Sequence, residues 1–298
     1  MDCPNCGAPV ADGAEECARC GIILSKWVPP RARSRRLSDD DELQNGRITK
    51  RELKILGFGL AAALVVHAVP FLRVVFLTLK TLFHELGHAV VAWLLGHPAI
   101  PAFDFVFGGG FTHQGSFKLP IALAVAGALG WLAWRLRRNP RGLAVLAAIF
   151  TVWLVCVSAE WRRETVIAAA GPAFELIIAG VFFYKALAGT GWRIPELERP
   201  LGAFVAFFVQ LYAVQFPLRL INDPDFLAWY QEGKGGALMN DLEVVALDLH
   251  IHTPLNPGIK GLAIALFVFS FVPIAVAVAW YLNRARWGRA VEGFLATG

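Results

Sequence analysis

Apolar stretches recur along this chain at lengths that suit a lipid bilayer better than a soluble core: residues 54–70, 71–95, 119–136, 142–159, 165–187, 201–217 and 259–282. Inside a bilayer no water is available to bond the backbone, so each segment must close its hydrogen bonds internally, which makes them helices. A hydrocarbon layer of roughly 30 Å needs about 20 residues of helix. Composition agrees, because 56% of the 298 residues are hydrophobic and 17% charged, where a soluble domain carries about a quarter charged. The expected fold is an all-α polytopic membrane protein of about six or seven transmembrane helices. The arginines of 135–141 and 284–289 and the N-terminus all favour the cytosol. Six crossings satisfy all three, and seven would leave the C-terminus outside, so the count stays open near Pro70. The net charge of +5 lies mostly in such clusters and reads as a topology signal.

The N-terminus has a different texture. Cys3-Pro-Asn-Cys6 and Cys17-Ala-Arg-Cys20 are two CxxC knuckles, each followed by glycine (Gly7, Gly21). That spacing predicts a zinc ribbon over residues 1–24, with one structural zinc held by the thiolates of Cys3, Cys6, Cys17 and Cys20. Thiolate ligands persist in a reducing compartment, which predicts a cytosolic ribbon. Cys156 stands apart in an apolar run and reads as a small buried hydrophobe. Residues 1–30 do not look like a cleavable signal peptide, being polar and rich in Cys, Pro and Gly. Residues 25–52 read as a charged flexible linker, with Arg31, Arg33, Arg35 and Arg36 before acidic Asp39 to Glu42. A solvated tether near the inner leaflet explains the basic block better than nucleic acid does. Residues 53–298 form the membrane-embedded domain. Within it, Phe103 to Phe107 alternates with period two, and Gly108-Gly109-Gly110 leads into Phe111 to Phe117, predicting a β-hairpin with a glycine turn.

The chemistry concentrates in His84-Glu85-Leu86-Gly87-His88, an HExxH set inside an apolar run. Residues four apart share a helix face, so His84 and His88 can offer two imidazoles to one metal, with Glu85 one step round as a base. Three ionisable groups in one turn of an apolar helix are expensive unless a metal or a function requires them. A catalytic zinc needs a third protein ligand and an open fourth position. The nearest acidic donors after the sixth apolar run are Asp223 and Asp225, in Asn222-Asp223-Pro224-Asp225, although that composition also suits an ordinary turn. His67, His97, His113, His250 and His252 are further donors that read, singly, as packed or solvated histidines.

HELGH in an early apolar helix, Ala170-Gly171-Pro172-Ala173-Phe174-Glu175 in a later one and an aspartate motif after the next together resemble the site-2 protease family of intramembrane zinc metalloproteases, over roughly residues 71–230. The resemblance implies that His84, His88 and either Asp223 or Asp225 bind the catalytic zinc and that Glu85 is the general base. It also implies substrate contacts at Gly171, Pro172 and Glu175, and at Gly109 and Gly110 of the hairpin, where a substrate strand would be received. Glu175 stands where the family usually has asparagine, and neither Asp223 nor Asp225 is followed by the family's glycine.

The function expected is hydrolysis of peptide bonds in or near transmembrane segments of membrane proteins, in a bacterial plasma membrane. The partners expected are a transmembrane protein substrate, the lipid bilayer and a protein that docks on the ribbon; nucleic acid is not expected. The alternative is a catalytically inactive, protease-like adaptor that binds transmembrane partners, suggested by Glu175 and the altered aspartate motif.

Overall fold

The computed structural model describes residues 2–11, 13–26, 47–103, 109–232 and 239–296. The expected basic and acidic blocks between Arg31 and Glu42 lie outside them, as do Asp104 to Phe107 of the expected strand and Gly108 of its turn. Each CxxC knuckle closes the same tight turn. Gly7 N–H donates to the Cys3 carbonyl and Gly21 N–H to the Cys17 carbonyl, both at 2.8 Å, with each glycine at φ of 69°, a conformation that favours glycine.

Helix α1 spans Lys50–Ala68 and starts at a capping box in which Glu52 accepts from the Thr49 backbone at 2.7 Å. The expected linker therefore ends at Thr49. Val69 is extended, and Pro70 opens α2, Pro70–Leu94, as residues around proline tend to do. A two-stranded antiparallel sheet follows, β1 Ala99–Phe103 and β2 Gly110–Gln114, in the register Ala99↔Gln114 to Phe103↔Gly110. The first strand begins four residues earlier than its alternating pattern suggested, because pairing continues backward through Gly115 N–H to the Pro98 carbonyl.

Helices α3 (Leu119–Arg135), α4 (Pro140–Val157), α5 (Glu160–Ala188), α6 (Pro195–Asn222), α7 (Pro224–Gln231), α8 (Asp241–His252), α9 (Gly258–Ser270), α10 (Val272–Leu282) and α11 (Arg284–Ala296) complete the described chain. Among the described residues, five units are long and apolar enough to cross a membrane: α2, α4, α5, α6 and the consecutive pair α9–α10. Two segments counted in the sequence fall short. Lys50, Arg51, Glu52 and Lys54 crowd the start of α1, and its apolar remainder reaches only about 21 Å at 1.5 Å per residue. Helix α3 has 17 residues, about 25 Å.

Burial separates core from periphery: 61% of the α6 span is buried against 11% of the α4 span. Helix α6 packs on α5 and α1, and α5 packs on α2. Small residues let these backbones approach, as in membrane bundles generally. A Cβ on Gly59 would lie 2.5 Å from the Ala203 side chain, and one on Gly87 would lie 2.5 Å from the Ala170 carbonyl. Polar backbone left over at helix ends finds partners. Arg199 donates to the Ala186 and Leu187 carbonyls at 2.9 Å each, and Gln210 donates to the Ser270 carbonyl at 3.0 Å where α9 gives way to α10.

The α1–α6 contact has no spare volume, so Gly59→Val should destabilise the bundle by about 1–3 kcal/mol through overpacking. Thermal unfolding in detergent should show a lowered midpoint, whereas Gly57→Val, which meets nothing within 4 Å, should not.

Candidate metal centre

His84, Glu85 and His88 lie on α2, as the i, i+4 spacing requires. The two imidazole rings are nearly perpendicular, with centroids 4.7 Å apart and 81° between their planes. Each ring has one nitrogen committed to α5. His84 Nδ1 donates to Glu175 Oε1 at 2.6 Å, and His88 Nδ1 donates to the Ile167 carbonyl at 2.7 Å. Both acceptors require the proton on Nδ1, which leaves each Nε2 to ligate; outer partners of this kind fix the tautomer and angle of metal-binding histidines. The rings reach α5 because Gly171 has no side chain, since a Cβ there would collide with His88 Nε2 and come within 2.8 Å of His84 Cε1.

The two Nε2 atoms converge on Asp241. Its Oδ2 lies 2.8 Å from His84 Nε2 and 3.4 Å from His88 Nε2. A tetrahedral zinc with bonds of about 2.0–2.1 Å sets its ligand atoms about 3.3 Å apart. The donor set therefore fits such an ion, which would take the place of the Nε2 protons. Burial alone would raise the Asp241 carboxyl, but hydrogen bonds from His84 and His88 outweigh it and hold the group well below the usual carboxylate range.

Local chemistry brings Asp241 there. It is the first residue of α8, behind the N-cap Asn240, whose backbone donates to Glu243 at 2.7 Å in a capping box. The Asn240 amide donates to the Tyr230 carbonyl at 2.5 Å, and Leu242 N–H donates to the Tyr230 hydroxyl at 3.2 Å. The end of α7 thus anchors the start of α8.

Asp223 and Asp225, the expected third ligands, are elsewhere. Asp223 caps α7, accepting from Phe226 N–H at 3.0 Å, and lies 3.7 Å from Arg219. Asp225 is in the first turn of α7. With Pro224 at N1, the stretch is a helix start, and capping consumes the Asp223 carboxylate. The signal for Asp241 was present in the sequence: a second Asn-Asp pair with glutamate three residues after its asparagine, opening an apolar helix.

The implied substrate contacts sort differently. Glu175 is buried against His84 at the cavity wall, and it also accepts from Lys80 at 2.8 Å. Lys80, His84 and His88 form one i, i+4, i+8 stripe, a pattern readable in the sequence. Pro172 lines a cavity of about 380 Å³ that also holds His84, Glu85, His88 and Asp241 at its wall. Gly110 lets β2 approach α2, since a Cβ there would lie 2.8 Å from Glu85 Cγ, whereas Gly109 meets nothing within 4 Å. Thr112, also on β2, donates to the buried Glu85 carboxylate at 2.7 Å.

The remaining histidines are outside the centre. His67 packs against Tyr212 with ring centroids 4.3 Å apart and planes tilted by 50°. His97 is buried, receiving Arg163 Nε at 3.1 Å and facing the Gly115 carbonyl at 3.0 Å. His252 stacks on Trp161, and His113 and His250 are exposed.

At the N-terminus, Cys3 and Cys20 sulfurs are 3.7 Å apart and those of Cys6 and Cys17 are 3.8 Å apart. A tetrahedron with Zn–S bonds of about 2.3 Å has edges of about 3.8 Å. The backbone N–H of Ile22 and the Asn5 amide bring the Cys20 thiol down to about 6. Cys6, although its sulfur also faces the Ala8 N–H, is pushed up to about 12 by desolvation and the neighbouring sulfurs. Four sulfurs this close need a cation before all can ionise.

Residues 3–24 match the family model of a zinc-ribbon domain. The match ends before the membrane-embedded helices. No curated protein and no solved structure matches the chain.

If the His84, His88 and Asp241 set holds zinc, Asp241→Asn should remove that ion and leave the one in the ribbon, because an amide is a poor replacement for a carboxylate ligand. Asp223→Asn should keep both. Metal analysis of the purified variants separates the two aspartates.

Proposed function

We propose that the protein is an intramembrane zinc metalloprotease that hydrolyses peptide bonds in or near transmembrane segments of membrane proteins. The observation that carries this reading is the convergence of His84 Nε2, His88 Nε2 and the Asp241 carboxylate beside the buried Glu85, on one cavity in a bundle of membrane-length helices. The order of HELGH and Ala170 to Glu175, similar to that of site-2 proteases, supports it as well, with Asp241 in place of the expected Asp223 or Asp225.

Zinc held by His84, His88 and Asp241 would supply Lewis acidity at the scissile carbonyl and make a nearby water more acidic. Glu85 takes the proton from the attacking water and returns it to the leaving nitrogen. Thr112 holds the Glu85 carboxylate through Oε2. Glu175 keeps His84 turned so that Nε2 is the ligating atom. Strand β2 borders the cavity through Phe111, Thr112 and Gln114. A helical substrate segment hides its scissile carbonyl in its own hydrogen bonds, and addition to a strand edge exposes it while keeping the backbone satisfied. In this reading the ribbon is a cytosolic docking module on a bacterial plasma-membrane enzyme.

The inactive-adaptor alternative drew on Glu175 and on the altered aspartate motif. Both features have another account here, since Glu175 is the partner of His84 Nδ1 and Asp241 is the acidic partner of both rings.

Glu85→Gln should keep both metal sites and slow cleavage by about 10²–10⁴-fold, the usual contribution of a positioned base. Membrane proteomes of cells producing the active or the Glu85→Gln chain should differ by at least one polypeptide that accumulates uncut. Retained cleavage of that polypeptide by purified Glu85→Gln protein would refute the role.

A further inference from the structure

The cavity wall carries four carboxylates and one lysine: Glu85, Glu164, Glu175 and Asp241 against Lys80. Lys80 is spent on Glu175 at 2.8 Å. Asp241 faces the two histidines, and Glu85 is the base. With Glu85 assigned to the reaction, Glu164 is the remaining one of the four, and it makes no ion pair among the described residues. Its Oε1 accepts from Gln114 Nε2 at 3.1 Å. The neighbouring Arg163 is turned away, donating to His97 and to the Val157 carbonyl and lying over the Phe117 ring.

Strand geometry relates Glu164 to the reacting centre. Thr112 and Gln114 are two apart on β2 and share a face; Thr112 holds Glu85 and Gln114 holds Glu164. Successive same-face positions on a strand are about 7 Å apart. A peptide laid along β2 repeats that spacing, so a residue near Glu85 has its same-side neighbour, two positions away, near Glu164.

We propose that Glu164 is a specificity-determining residue that selects substrates with a lysine or arginine two positions from the scissile bond. This rests on the peptidase reading above. A cationic side chain entering the cavity would meet a carboxylate that makes no ion pair among the described residues and whose position Gln114 already fixes. An acidic side chain in the same place would meet like charge in a partly desolvated wall, and negative selection of that kind is as much a part of specificity as attraction.

The test uses the full-length protein in detergent and a peptide library varied at every position, with cleavage products read by mass spectrometry. Lys and Arg should be enriched two positions from the cut on one side. Glu164→Gln, which can still accept from Gln114, should reduce that preference about tenfold, in line with loss of one charged hydrogen bond. Glu164→Arg should favour Asp and Glu instead. Cleavage without basic preference, or an unchanged preference in Glu164→Gln, overturns the proposal. Binding to the Glu85→Gln chain decides the matter independently of turnover. A fluorescent peptide with Lys at that position should bind about tenfold tighter than its Glu counterpart, and the gap should close in the Glu85→Gln/Glu164→Gln double variant. Equal binding overturns the proposal, whereas a binding gap with no cleavage by the parent chain refutes the peptidase reading alone.

Discussion

The close crossing of α2 and α5 governs what this molecule can hold at its centre. Imidazoles and carboxylates are costly to bury among apolar helices unless every polar atom has a partner. The crossing supplies those partners because Gly87 brings the two backbones together and Gly171 leaves room for the two rings. The Ile167 carbonyl takes one ring and Glu175 takes the other. Any side chain at Gly171 would force the rings aside. Once both Nδ1 atoms are satisfied, both Nε2 atoms point to the same volume, and a third ligand has somewhere to arrive.

The other parts of the site come from distant segments, each with a separate role. Helix α8 contributes Asp241 through its capping box, and α7 steadies that cap through Tyr230. The hairpin contributes Thr112 and the close approach of Gly110 to Glu85. Helix α2 contributes Lys80, which balances the Glu175 carboxylate where burial would otherwise penalise it. His84, Glu85 and His88 thus share α2, while the groups that meet them come from α5, β2 and α8.

Local patterns were legible wherever one short segment contains the whole motif. The CxxC knuckles, the HExxH pair, the hairpin and the membrane-length runs are of this kind, because turn geometry, helical spacing and apolar length act within about 25 residues. Even there the edges shifted: Thr49 caps α1 inside the expected linker, and β1 begins at Ala99 rather than at Phe103. Counting apolar runs also overstated the spans, since a run's ability to cross depends on the charges at its ends, as at Lys50 to Lys54.

From the sequence alone came the two donor sets, four cysteines and two histidines, together with an acidic neighbour suited to base chemistry. Which acidic residue stands beside the two histidines was a matter for tertiary structure. Asp223 and Asp241 each follow asparagine near a helix start, and as local sequence they are close equivalents. Packing distinguishes them: α8 lies against α5 beside the histidines, while the Asp223 carboxylate is absorbed by the cap of α7. Glu175 belongs to the same class. Its position in the sequence suggests a substrate contact, but the rotation of α5 turns it toward His84, and no local pattern encodes how one helix is rotated against another.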